Sequence, residues 1–194
     1  MIQPVRLTMA ALLLGSTVAG AHFDIERNGV FKVRNGRYNI KNGPCGVVPE
    51  ADKRSANVYT FAPGETIEIG VSEYIPHPGY YRVAFDTEGT DDFVNPQSVL
   101  PLNRECMDTP EDRCGKTDFY NNDTVLADNL FPTGSPRRRD ITLKVTLPEV
   151  ECDQCVLQVI QVMTDAPGIH APYDPSPTSD DLYYQCIDMR LAWP

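Results

Sequence analysis

Histidine is scarce in this chain, with three in 194 residues, at positions 22, 77 and 170. Basic residues are scarce too: 17 Lys and Arg face 27 Asp and Glu, giving a formal charge of −10. Such an acidic balance argues against nucleic acid or an anionic membrane surface as the partner, whereas a neutral polymer would not be repelled. Beyond the N-terminal segment no apolar run is long enough to cross a bilayer. Helical periodicity is sparse, and no internal repeat or low-complexity domain is evident.

What the N-terminus does hold is the pattern of a secretory signal. A single charge, Arg6, precedes the apolar run LTMAALLLGSTVAG, which ends in the small-residue triplet Ala19-Gly20-Ala21. No cysteine stands at that boundary, which argues against a lipoprotein anchor. The expected organisation is a signal peptide over 1–21 and one domain over 22–194, exported to the extracellular space or the periplasm, with no membrane association after cleavage. Removing residues 1–21 leaves 173 residues beginning with His22, and 16 basic against 27 acidic residues, a charge of −11. All six cysteines, Cys45, Cys106, Cys114, Cys152, Cys155 and Cys186, lie in that part. An even count in an exported chain reads as three disulfides, which six cysteines can form in 15 ways.

Alternation of apolar and polar residues marks the strands. Ile67, Ile69 and Val71 share a face in ETIEIGV, as do Tyr81, Val83 and Phe85 in YYRVAF, and Ile141, Leu143, Val145 and Leu147 in ITLKVTL. YYQCIDMRL puts Tyr183, Gln185, Ile187, Met189 and Leu191 on one side, and VLQVIQVM reads as a more buried strand. NVYTF and VFKV are weaker candidates. About seven strands between Gly- and Pro-bearing turns predict an all-β fold, an antiparallel immunoglobulin/fibronectin III-like β-sandwich. Residues 87–140 do not alternate and read as one large insertion, stapled by its own cysteines, with a short helix near 117–130. Arg137-Arg138-Arg139 follows Gly, Ser and Pro and reads as a solvated loop. APGIHAPYDPSPTSDD, 166–181, reads as a proline-rich loop carrying His170 on an exposed surface. Asn122-Asp123-Thr124 is a glycosylation sequon.

Two of the histidines suggest chemistry. A histidine at a mature N-terminus offers two nitrogen ligands, its imidazole and its α-amine, whose reference pKa is near ~8. A second imidazole would complete a planar three-nitrogen set of the kind that suits Cu(II). His77 is the candidate partner, in Tyr74-Ile75-Pro76-His77-Pro78-Gly79-Tyr80-Tyr81, where two prolines and a glycine restrict the loop. Gln158 and Gln161 are amides in an otherwise apolar strand, and a buried amide needs partners. Of the two, Gln161 is favoured as a group near the site. Cys152-Asp153-Gln154-Cys155 precedes a strand rather than opening a helix, so it reads as a structural disulfide, within the motif or shared with another cysteine, rather than a redox pair or zinc site.

At these residues the sequence resembles the lytic polysaccharide monooxygenases, in particular the bacterial chitin- and cellulose-active type and its polysaccharide monooxygenase-like relatives. The resemblance rests on the cleavage point before His22, on HPGYYRVAF at 77–85, on CDQCVLQVIQVMTD at 152–165 and on LYYQCIDMRL at 182–191. It implies one copper ion held in a histidine brace by His22 and His77, with Tyr183 in the axial position where bacterial members commonly carry Phe. It implies an external electron donor, O2 or hydrogen peroxide as co-substrate, and hydroxylation at C1 or C4 of a β-1,4-linked polysaccharide, chitin or cellulose, by a monomer. The expected disulfides are Cys45–Cys186, Cys106–Cys114 and Cys152–Cys155. Tyr74, Tyr80 and Tyr173 are candidates to stack on sugar rings. Two other functions use the same residues or scaffold: an exported copper-binding protein with a brace and no polysaccharide cleavage, and a carbohydrate-binding sandwich with no metal.

Overall fold

The computed structural model describes residues 23–27, 30–34, 40–46, 54–93, 125–133, 138–163 and 182–194. The described residues form eight strands and no helix: β1 (Phe23–Asp24), β2 (Val58–Phe61), β3 (Thr66–Glu73), β4 (Gly79–Asp86), β5 (Val125–Thr133), β6 (Asp140–Thr146), β7 (Cys152–Met163) and β8 (Leu182–Leu191). A three-stranded sheet runs β1-β3-β6 and a five-stranded sheet runs β2-β8-β7-β4-β5.

Apolar period two decides how the sheets meet. On β3 the buried Ile67, Ile69 and Val71 alternate with exposed Thr66 and Glu68, and on β6 Leu143 and Val145 alternate with exposed Thr142 and Lys144. The smaller sheet therefore has one dry and one wet face. Its dry face packs against Tyr81, Val83, Phe85, Leu157, Val159, Tyr183, Ile187, Met189 and Leu191 of the larger sheet in one continuous core. Those of β4 and β8 are inward residues that the alternation marks, while Leu157 and Val159 come from β7.

β7 is buried on both faces from Cys155 to Met163, which explains its unbroken apolar reading. Its outer face and that of β8 are covered by the segment before β2. Tyr184 N–H donates to Ile40 O at 2.7 Å, Arg34 N–H to Cys186 O at 2.8 Å, and Gln158 Nε2 to Pro44 O at 2.7 Å. Cys45 is bonded to Cys186, closing a sequence separation of 141 residues. In the chain-entropy account a loop that long withdraws roughly 5 kcal/mol from the unfolded state. Asp188 is fully buried there and is bonded by Arg34 through Nη2 at 2.6 Å and Nε at 3.3 Å, and by the Ser55 amide. That pairing offsets the desolvation of a carboxylate that would otherwise be lost to the fold. Cys152 and Cys155 are also joined. The Cys106–Cys114 expectation lies outside the described residues.

Four expectations are corrected. β2 pairs with β8 in parallel, Val58 opposite Asp188 through Phe61 opposite Leu191, so the sandwich is not wholly antiparallel. No helix occupies 125–130; these residues belong to β5, which pairs with β4 as a sheet edge, so the far end of the supposed insertion is part of the scaffold. β5 was illegible because it is bulged: its register against β4 shifts three times, and Asn129 (φ 47°) and Phe131 (φ 52°) break the alternation. Pro132 is tolerated because the strand lies at an edge. VFKV forms no strand; Phe31 and Val33 enter the core from an irregular segment instead.

The edge strand carries a titratable group. Burial pushes the Asp128 carboxyl up to about 7, against the opposing influence of the Asn129 amide and the Arg82 charge. The unfolded chain gives up this proton near 3.8, so unfolding releases a proton between those values and stability falls as pH rises across that window. Asp128→Asn is expected to remove this slope and to raise the melting temperature at pH 8. Parallel melting profiles for the two proteins from pH 4 to 8 would refute the assignment.

Candidate functional site

Strand registers gather the candidate residues at one end of the sandwich. Phe23 is the first residue of β1 and lies opposite Glu73, the last residue of β3. Residues 74–78, with His77 among them, link β3 to β4, whose first residue Gly79 lies opposite Met163, the last of β7. Leu182, which opens β8, lies opposite Val162. The start of β1, the His77 link, the end of β7 and the start of β8 thus share one end.

Gly79 is required where it stands. A Cβ there would collide with the Val162 carbonyl oxygen on the neighbouring strand, and the φ of 157° strains a side chain in any case. The glycine of HPGYY therefore lets the His77 link lie close against the end of β7. His77 itself is half-buried.

Gln161 lies opposite Tyr81 of β4 on one side and Tyr183 of β8 on the other. These three side chains form a row on the inner face, with Tyr81 and Tyr183 in the central core. Gln161 is 2% exposed, and its Oε1 has no hydrogen-bond partner among the described residues. An orphaned buried amide oxygen costs on the order of 1–3 kcal/mol, so a water, ion or ligand group at this end would satisfy it. Gln158 is on the opposite face, donating to Pro44 O beneath the Cys45–Cys186 bond. The two amides that looked alike in the sequence therefore do different things. Tyr183 is 2% exposed, and the Lys41 ammonium lies 5.7 Å from its ring centroid.

Beneath this end is a buried charged group that the sequence reading missed. Glu73 is 3% exposed; it accepts from Tyr81 Oη at 2.9 Å and from Arg139 Nη2 at 2.7 Å and Nε at 2.9 Å. Burial first, then the Glu73 carboxylate, push the Tyr81 phenol well above its ordinary range, so Tyr81 stays a donor. Burial opposes the charge on Arg139, but its bonds to Glu73 prevail and hold it above its ordinary value. Arg139 also donates from Nη1 to Phe131 O, tying β5 to the cluster. A signal for Glu73 existed: it continues the inward series Ile67, Ile69, Val71. Arg139 corrects the reading of 137–139 as a solvated loop, because it turns in to meet that carboxylate; Arg138 is exposed.

Tyr74 Oη donates to Asp24 Oδ2 at 3.0 Å, pinning β1 beside the His77 link. Its ring carries guanidinium groups, Arg27 at 4.9 Å and Arg138 at 5.8 Å from the centroid, so it is occupied rather than open for a sugar. Tyr80 packs against Ile160, Val162, Leu182 and Tyr184 on the outer face. His22, His170 and Tyr173 lie outside the described residues. Among the described residues no three His, Cys, Asp or Glu side chains are grouped to hold a metal. No helix among them is long and apolar enough to cross a membrane.

No protein-family model matches the chain, and no curated protein sequence matches it. Solved structures that resemble it include a lytic polysaccharide monooxygenase AA15 from Thermobia domestica in the Cu(I) state, at 17% identity and a TM-score of 0.42. That likeness covers 84% of this chain and 69% of the other. A chitin binding domain from Burkholderia pseudomallei resembles it at 14% identity and a TM-score of 0.37, over 70% of this chain and 57% of that one.

Proposed function

We propose that this is a secreted, immunoglobulin-like β-sandwich that binds one copper ion at the end carrying His77 and oxidatively cleaves a β-1,4-linked polysaccharide, chitin or cellulose. The observation that carries the reading is the pairing of Phe23 with Glu73. It fixes the residue after His22 at the end of β3, the strand that leads directly into the His77 link. With cleavage after Ala21, His22 would bring an α-amine and an imidazole to that same end.

The chemistry of the proposed donors suits a metal. His22 and His77 would hold it, in a nitrogen set that suits copper. When bound, copper would supply one-electron chemistry with an external donor and O2 or hydrogen peroxide, leading to hydroxylation of a sugar carbon. The chain's own parts are positional. Gly79 and the two prolines fix the link bearing His77. Gln161 offers an unsatisfied amide oxygen on the inner face beneath that end. Tyr183, opposite it on β8 and buried, would limit the access of water to the metal from the core side. Export agrees with the Cys45–Cys186 bond, which is at home in an oxidising compartment.

The test uses the chain beginning at His22, loaded with copper and given a reductant and crystalline chitin or cellulose. Soluble oxidised oligosaccharides are expected, and His77→Ala should release none. Tight copper binding without product on any polysaccharide would favour copper handling. A melting temperature indifferent to copper would leave a metal-free binding sandwich, because a ligand of the native state must raise it.

A further inference from the structure

Among the described residues two arginines at the proposed working end have no carboxylate partner. Arg34 meets Asp91 and Asp188, Arg54 meets Asp188, Arg139 meets Glu73 and Arg190 meets Asp153. Arg27 and Arg138 meet no carboxylate among the described residues, and both are exposed. With 27 acidic residues against 17 basic ones, chance would be expected to give such side chains an acidic neighbour. Instead they come together on a single ring. Arg27 lies 4.9 Å and Arg138 5.8 Å from the Tyr74 centroid, and Arg138 Nε also donates to Tyr74 O at 3.0 Å.

Tyr74 cannot move to suit them, because its hydroxyl is bonded to Asp24 and Asp24 is 4% exposed. The ring thus holds two long, flexible cations in place, which reduces the entropy lost when they bind a ligand. Exposed apolar side chains belong to the same segments: Ile75, 43% exposed, follows Tyr74 on the link to His77, and Phe131, 44% exposed, is tied through its backbone carbonyl to Arg139, the neighbour of Arg138. The result is a cationic, partly apolar surface three residues from His77. At physiological salt the screening length is about 8 Å, so the surface answers mainly to the charges beside it, two guanidinium groups and the Asp24 carboxylate on the same tyrosine, which leaves a local positive excess.

We propose that Arg27 and Arg138, presented by Tyr74, bind the carboxylate groups of an acidic polysaccharide, a uronic-acid-bearing polymer, and hold it across the His77 end. A guanidinium held over a ring by its positive charge still has N–H groups to offer, the two Nη groups in the case of Arg138, and a planar fork of N–H donors matches a planar carboxylate with two parallel hydrogen bonds. Ile75 and Phe131 suit the apolar faces of the sugar rings. The inference rests on the polysaccharide reading above and changes its substrate class: the natural target carries acid groups, alone or interspersed among neutral β-1,4 chains.

The experiment takes the copper-loaded chain beginning at His22, without reductant, and measures retention on polygalacturonate, dextran sulfate, cellulose and chitin. Retention by polygalacturonate is expected at low salt, weakening about tenfold or more as ionic strength rises to physiological values. The Arg27→Gln/Arg138→Gln variant should lose about tenfold in affinity, about 1.4 kcal/mol, with the melting temperature and Cu(II) EPR spectrum of the parent. No retention on polygalacturonate, equal retention of the variant, or dextran sulfate bound as well as polygalacturonate would each overturn the proposal. Arginine-independent retention on cellulose or chitin alone would overturn it while leaving the proposed function standing. A chain that takes up no copper yet binds polygalacturonate through the arginines would overturn the proposed function and support the carboxylate site.

Discussion

A chain beginning at His22 is expected to bind Cu(II) roughly 100-fold or more tightly than the same chain carrying one extra residue ahead of it, a difference of about 2.7 kcal/mol or more. The extra residue converts the α-amine of His22 into an amide. That nitrogen can then bind copper only by giving up its amide proton, so the amine–imidazole chelate of a terminal histidine is lost and any copper held there sits in a different donor set with a different EPR spectrum. Removal of His22 by cleavage one residue later should abolish binding altogether, since Phe23 has no ligand side chain. Titration of the three forms with Cu(II), followed by EPR, reads the effect directly. Equal affinities and identical spectra for the first two forms would disprove the brace. The fold should not suffer, because the pairing of Phe23 with Glu73 begins one residue downstream of the change.

Arg139→Met is expected to destabilise the protein by about 3–5 kcal/mol, the cost of leaving one member of a buried pair without its counter-ion. The Glu73 side chain is 1% exposed and takes two of its hydrogen bonds from Arg139. With the guanidinium gone, Glu73 must either stay charged in the core or take up a proton. The tie from Arg139 to Phe131 O is lost as well, so β5 loosens. Replacing both members, Glu73→Leu with Arg139→Met, should recover much of the stability, because no buried charge is left behind; the remaining deficit is the lost partner of Tyr81 Oη. Urea unfolding of the single and double variants measures the coupling. A loss below about 1 kcal/mol for Arg139→Met would mean the pair behaves as a surface ion pair.

The fold and the candidate site differ in how they were encoded. Where a strand has one wet face, as β3 and β6 do, its alternation is written in the sequence; β4 and β8 are covered on both faces, yet their inward large apolar residues still recur with period two and could be read without coordinates. The inward Tyr183, Ile187, Met189 and Leu191 follow from period two alone. β5 could not be read, because a bulged edge strand with two positive-φ residues has no period to detect. The parallel pairing of β2 with β8 was equally hidden: a four-residue strand carries no mark of its direction, and its partner lies 130 residues downstream by register.

By itself the sequence determined an all-β chain and its main inward faces, and it marked a link around His77 restricted by two prolines and a glycine. These are local properties, set by side-chain period, steric limits and small-residue patterns over a few neighbouring residues. Only the tertiary structure decided which face each glutamine of VLQVIQVM occupies, that Arg139 turns inward to Glu73 while Arg138 stays outside, and that Arg27 meets it on Tyr74, although 111 positions separate the two arginines. Those outcomes depend on registers between strands far apart in the chain. A register is fixed by the summed packing and hydrogen bonding of the whole sheet, which no short stretch contains.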